Sequence, residues 1–179
     1  MTSSRLVLAG VIAASLFAAL AAPVSAQEIK QLGTYGTTKA WTAWTGADAN
    51  GAMCYISAQP EDWSPKEVNG APVRRSPIHF LIINRKGLGT SNEVQTQVGY
   101  SFGTGNVTAS IDGKDFPMVT EGEAAWLAVE ADEPAFVAAL KAGSKLVVSG
   151  TSLRGNRMTD NYNLSGVTAA LDEIAKACA

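Results

Sequence analysis

The stretch Asn50-Gly51-Ala52-Met53-Cys54-Tyr55-Ile56-Ser57-Ala58 contains both the turn and the strand pattern from which the rest of the chain can be read. Ala52, Cys54, Ile56 and Ala58 alternate with Met53, Tyr55 and Ser57, the period of two that marks a strand with one small, apolar face. Asn50-Gly51 places residues that tolerate positive φ at its start, so a tight hairpin precedes it. The same punctuation recurs at Asp112-Gly113. Working outward, strands are expected at 39–45, 52–58, 78–84, 93–100, 107–111, 116–119, 124–130, 145–151 and 157–161. Short strands separated by Gly, Asn and Asp clusters indicate a mainly β fold, an antiparallel β-sandwich or barrel-like domain.

Two helices join this pattern. Asp132 is placed to cap a short crossing helix, with Pro134 in its first turn, Phe136, Ala139 and Leu140 on one face and Gly143 at its end. Val167, Ala170, Leu171, Ile174 and Cys178 recur at helical spacing and predict a C-terminal helix. Residues 27–38 are polar and read as a leader into the fold. Residues 59–77 carry prolines at 60, 65, 72 and 77, which predicts an exposed excursion that cannot continue a ladder.

The first 26 residues follow a different logic. Arg5 precedes the apolar run from Leu6 to Leu20, and Val24-Ser25-Ala26 supplies small residues for cleavage, the pattern of a secretory signal peptide. Fifteen apolar residues span about 22 Å as a helix, short of the roughly 30 Å of a hydrocarbon core. Cleavage after Ala26 leaves one domain, residues 27–179, with no later stretch long and apolar enough to cross a bilayer. The expected location is periplasmic or secreted, with outer-membrane association open. Outside the cytoplasm, Cys54 and Cys178 are expected to form a disulfide tying the C-terminal helix to the early sheet; an intermolecular bridge through Cys178 is the competing reading.

Composition narrows function by exclusion. The full chain has 14 basic and 16 acidic residues, a net charge of −2, which argues against a nucleic-acid phosphate backbone as partner. Two cysteines and one histidine do not make a structural zinc site, and no cofactor is expected. His79 is the sole conventional general base near neutral pH, yet it sits in the apolar Pro77-Ile78-His79-Phe80-Leu81 and reads first as structural. Gly150-Thr151-Ser152-Leu153-Arg154-Gly155 misses the nucleophile-elbow spacing by one residue. Glu121, Glu123, Glu130, Asp132 and Glu133 read as a solvated acidic rim. Trp41 and Trp44 point to opposite faces of an unbulged strand, so they form no common stacking platform, and Arg74-Arg75 and Arg85-Lys86 bracket opposite ends of a strand.

Taken in order, Cys54-Tyr55-Ile56, Asn92-Glu93-Val94, Gly99-Tyr100-Ser101-Phe102, Ile111-Asp112-Gly113-Lys114-Asp115-Phe116 and Ala125-Trp126 resemble the invasion-associated locus B family of exported bacterial proteins. Val148 to Gly155, Thr159-Asp160, Leu164-Ser165-Gly166 and the final Cys178 extend the resemblance. It implies a small envelope protein, named for a role in host-cell entry, and no catalytic motif. Arg154, Gly155 and Asp160 form the most distinctive piece, read as a turn with Arg154 paired to Asp160 and Gly155 at positive φ. The leading expectation is a non-enzymatic protein that binds an envelope or host-cell component, of undetermined oligomeric state. The alternatives are a small periplasmic hydrolase using His79 and an envelope-stress or assembly accessory protein.

Overall fold

Apolar residues at every second position build strands that share one buried face. The structure, a computed structural model, describes residues 28–179; the expected signal peptide lies outside them. The strands are β1 (Lys30–Tyr35), β2 (Trp41–Asp48), β3 (Gly51–Ala58), β4 (Asp62–Ser64), β5 (Glu67–Val68), β6 (Ala71–Pro72), β7 (His79–Arg85), β8 (Thr90–Gln97), β9 (Val107–Ile111), β10 (Lys114–Glu121), β11 (Ala124–Leu127), β12 (Lys145–Thr151) and β13 (Arg157–Asn163). Two α-helices join them, α1 (Glu133–Ala142) and α2 (Val167–Ala177). Eleven strands form one antiparallel sheet in the order β1-β2-β3-β7-β8-β11-β10-β9-β12-β13-β4, while β5 and β6 make a small separate hairpin.

The sheet is not closed into a barrel, yet it curls until distant strands meet. Phe80 of β7 reaches Tyr162 of β13 at 5.6 Å between ring centroids, and also packs on Trp41 of β2 at 6.4 Å and Phe136 of α1 at 6.0 Å. The Trp41 indole Nε1 donates to the Asn163 carbonyl at 2.8 Å, adding a polar tie between the same regions. Trp41, Phe80, Phe136 and Tyr162 are almost fully buried, and α1 seals this core because Phe136 also packs edge-on against Phe116 of β10. The expected mainly β, antiparallel domain with a short crossing helix and a C-terminal helix is therefore observed, built as one open, curled sheet rather than two packed sheets or a closed barrel.

The turns behave as their chemistry requires. Ala49-Asn50 forms the two-residue link from β2 to β3, followed by Gly51 at φ +105°; Asp112 and Gly113, at φ +47° and +89°, close the β9–β10 hairpin. Three expectations are corrected. Residues 30–35, read as part of a leader, form β1; its pairing to β2 is interrupted by a register shift between Gln31 and Gly33, and its position at the sheet edge lets polar side chains face outward. Asp132 does not cap α1 with its side chain, because it lies in a preceding 3-10 turn with helical φ and ψ, and the chain runs straight into the helix.

The third expectation to change concerns the segment that forms one wall of the site. The insert at 59–77 is not merely an excursion: it crosses from β3 to the other end of the sheet, pairs β4 with β13, and returns to β7 beside β3. Pro60 and Pro65 flank a strand of only three residues that is paired on one edge, so their missing N–H groups cost the ladder nothing. The insert is a strap across the open side of the sheet.

Cys54 and Cys178 form an intrachain disulfide, with Cα atoms 6.0 Å apart across a sequence separation of 124 residues. Cys54 is fully buried on β3, and Cys178 follows the last residue of α2, donating its N–H to the Ile174 carbonyl. Val167, Ala170, Leu171 and Ile174 bury the helix face that leads to it. Closing so long a loop stabilises the fold by about 4 to 5 kcal/mol in the chain-entropy account. Protein isolated without reductant should contain no free thiol, and replacing both cysteines by Ala should cost about 2 to 5 kcal/mol in urea unfolding; two titratable thiols, or an unchanged midpoint, would refute the staple.

Glu133 departs from the solvated acidic rim expected of its neighbours. It is buried at the start of α1, where Oε1 accepts the Val94 N–H at 3.3 Å. Burial raises its carboxyl pKa, and nearby Glu130 and Glu93 push the same way against the hydrogen bond. Ionisation thus costs more in the folded chain than in the unfolded one, and stability is lost as pH rises through the raised value. Glu133→Gln keeps the acceptor without the charge. It should melt higher than wild type at neutral pH, with the advantage vanishing below the ordinary carboxylate range; an equal gain at both ends of a pH-dependent melting series would contradict this assignment.

Candidate functional site

Arg74 and Arg75 are neighbours in the part of the strap that follows β6, where exposure alternates from Val73 to Ser76, so the two side chains face opposite ways. Arg75 turns inward. Its Nε donates to the Val98 carbonyl at 2.8 Å, and its Nη2 makes a further close contact to the same oxygen. Its two terminal nitrogens fork onto the Asp160 carboxylate, Nη1 to Oδ1 at 2.5 Å and Nη2 to Oδ2 at 2.7 Å. Both side chains are only 2% exposed.

Aromatic rings complete the enclosure: the guanidinium carbon lies 5.1 Å from the Trp63 ring and 5.0 Å from the Tyr100 ring. Burial, with the Asp160 charge adding to it, raises the Tyr100 hydroxyl pKa well above its usual value. The same burial raises the Asp160 carboxyl, against the pull of Arg75.

Arg74 turns outward into a groove of about 730 Å³. The floor is the 99–101 segment, held on one side by the Ser76 N–H to the Gly99 carbonyl and on the other by the Leu153 N–H to the Ser101 carbonyl. Gly99 is required there: at φ +69°, a Cβ would lie 2.2 Å from the Ser76 carbonyl oxygen. One wall is the β5–β6 hairpin with Arg74, and the other is the turn from Ser152 to Asn156.

That second wall is built by its own hydrogen bonds. Ser152 N–H donates to the Asn156 carbonyl, Gly155 N–H to the Ser152 carbonyl, and Asn156 N–H to Ser152 Oγ. Gly155 takes φ +79°, as the turn reading expects. The expected pairing of Arg154 with Asp160 is not observed. Asp160 alternates inward on β13 and is taken by Arg75, while Arg154 projects from the turn into the groove lining. The structure thus keeps Arg154 and Gly155 in one turn, brings only Arg154 to the groove, and places Asp160 on β13 away from both, where it anchors the strap residue adjoining Arg74.

His79 lies elsewhere. As the first residue of β7 it faces the outer surface of the sheet, half-buried, in a shallow hollow with Thr42, Trp44, Ser57 and Glu61. Its backbone carbonyl accepts the Thr96 hydroxyl, but among the described residues no hydrogen bond joins its imidazole to the hydroxyl or carboxylate groups in that hollow. Ser57 Oγ instead accepts the Trp44 indole N–H at 2.9 Å. Trp41 is core and Trp44 is on the outer face, as their spacing predicts. Sequence reasoning singled out Arg154 but gave Arg74 and Arg75 no role; two adjacent arginines in a proline-rich strap were the available signal.

The invasion associated locus B protein family matches residues 41–175, a span containing the strap and both groove walls, so the chain belongs to this family. Comparisons with curated proteins and with solved structures return no significant match. Among the described residues no helix is long and apolar enough to cross a membrane.

The observed pairing can be tested directly. Asp160→Ala leaves a buried guanidinium without its counter-ion and should cost about 3 to 5 kcal/mol, whereas Arg154→Ala should change stability by less than about 0.5 kcal/mol, as expected of an exposed charge. Chemical denaturation of the two variants decides between them. Equal losses would restore the Arg154–Asp160 pairing.

Proposed function

We propose that this chain is an exported, non-enzymatic protein of the bacterial envelope that acts by binding an envelope or host-cell component in the groove between the strap and the turn at 152–156. The observation that carries the reading is the outward display of Arg74, Arg154 and Leu153 around one concavity, with Leu153 73% exposed although it is apolar. A leader-like N-terminus and a disulfide suit an oxidising compartment, periplasmic or extracellular. The family's name associates it with invasion, and binding a host surface is one form that role can take.

A hydrolase built on His79 has less support, since among the described residues its imidazole makes no hydrogen bond to a hydroxyl it could activate. The reading is tested by placing a photo-cross-linking residue at Leu153 and, as a comparison, at Val119, which is 52% exposed on β10. In living cells, position 153 should give a reproducible adduct that position 119 does not, and His79→Ala should leave that adduct unchanged. Indistinguishable patterns at the two positions would remove the groove from the proposal.

A further inference from the structure

We infer that the groove takes an acidic peptide segment, its carboxylates held by Arg74 and Arg154 and its backbone by Asn69 and Asn156. This rests on the binding reading above and adds the chemistry of the partner. The two arginines come from different walls, and among the described residues neither guanidinium has a hydrogen bond or ion pair of its own. Among the described residues no Asp or Glu lines the groove, so none of its lining side chains neutralises them. A planar guanidinium presents paired donors that match the two oxygens of a carboxylate.

The other polar groups favour a polypeptide. The side-chain amides of Asn69 and Asn156 make no hydrogen bond among the described residues, and each offers one acceptor and two donors, the complement of a peptide unit. Leu153 and Val73 supply apolar contact between the polar positions. A membrane surface fits less well. Electrostatic attachment to anionic lipid draws on clusters of about four to eight cationic residues, whereas this concavity has two, on a chain whose net charge is −2. That overall charge repels an extended anionic surface while leaving a short acidic segment free to enter the groove.

The position of Arg74 is itself a product of the buried fork. Arg75, clamped to Asp160 and the Val98 carbonyl, fixes the backbone one residue away. Part of the ordering needed for binding is therefore present before a ligand arrives.

The test is to pan a phage-displayed library of random dodecapeptides on the intact, oxidised protein, then measure a synthetic copy of the recovered sequence by fluorescence anisotropy. The expected result is enrichment in Asp and Glu and an affinity that falls by about tenfold for each of Arg74→Ala and Arg154→Ala. Replacing the peptide's carboxylates by amides should reproduce the loss, and both variants should keep the wild-type melting temperature. A library that returns no acidic consensus, or an acidic peptide indifferent to both arginines, overturns the inference. So does arginine-dependent flotation with phosphatidylglycerol vesicles. If position 153 still cross-links a partner when the acidic consensus fails, the ligand class is wrong and the groove reading survives; if neither is found, both fall.

Discussion

The fork from Arg75 to Asp160 is the constraint on which the candidate site depends. It joins the strap to β13 at the open side of a curled sheet, in a place where water cannot solvate either charge. Buried ion pairs are seldom worth much relative to apolar replacements of the same shape, because desolvation offsets most of the attraction. Their value lies in geometry. Here the Val98 carbonyl, the Asp160 carboxylate and the two flanking rings leave the guanidinium one orientation, and the strap is fixed in register against β13 and the end of β8.

The hydrophobic core does a different job. Phe80, Trp41, Phe136 and Tyr162 draw β2, β7, α1 and β13 together, which sets the curl of the sheet without closing its hydrogen-bond ladder. The strap and the Trp41-to-Asn163 hydrogen bond then span the gap that ladder bonds leave. Core and site are thus separable: apolar packing shapes the sheet, and a polar clamp positions the segment that forms one groove wall.

Much of this was legible in the chain because local signals and tertiary outcome agreed. The hairpins at Asn50-Gly51 and Asp112-Gly113, and the spans 107–111 and 145–151, follow from positive-φ chemistry and period-two alternation. What was missed lacked a local signature. β1 is a polar edge strand with irregular register, and β4 is three residues between prolines. The turn that carries Arg154 is legible but its partner is not, since proximity along the chain favours Asp160 whereas that carboxylate faces the interior and meets an arginine 85 positions earlier. Half of the groove depends on that long-range contact, and no window of sequence contains it.

The disulfide has a bearing on how the molecule would wear. Cys54 and Cys178 enclose the strap, both groove walls and every strand from β4 to β13 within one covalent loop. A protease that nicks an exposed turn anywhere in that loop produces two chain segments still joined through sulfur, so a single cut opens the ring without releasing a fragment. Such a molecule would migrate with the intact protein until it was reduced. Cleavage and loss of material are thereby made separate events, with the reductant rather than the protease deciding when the second occurs.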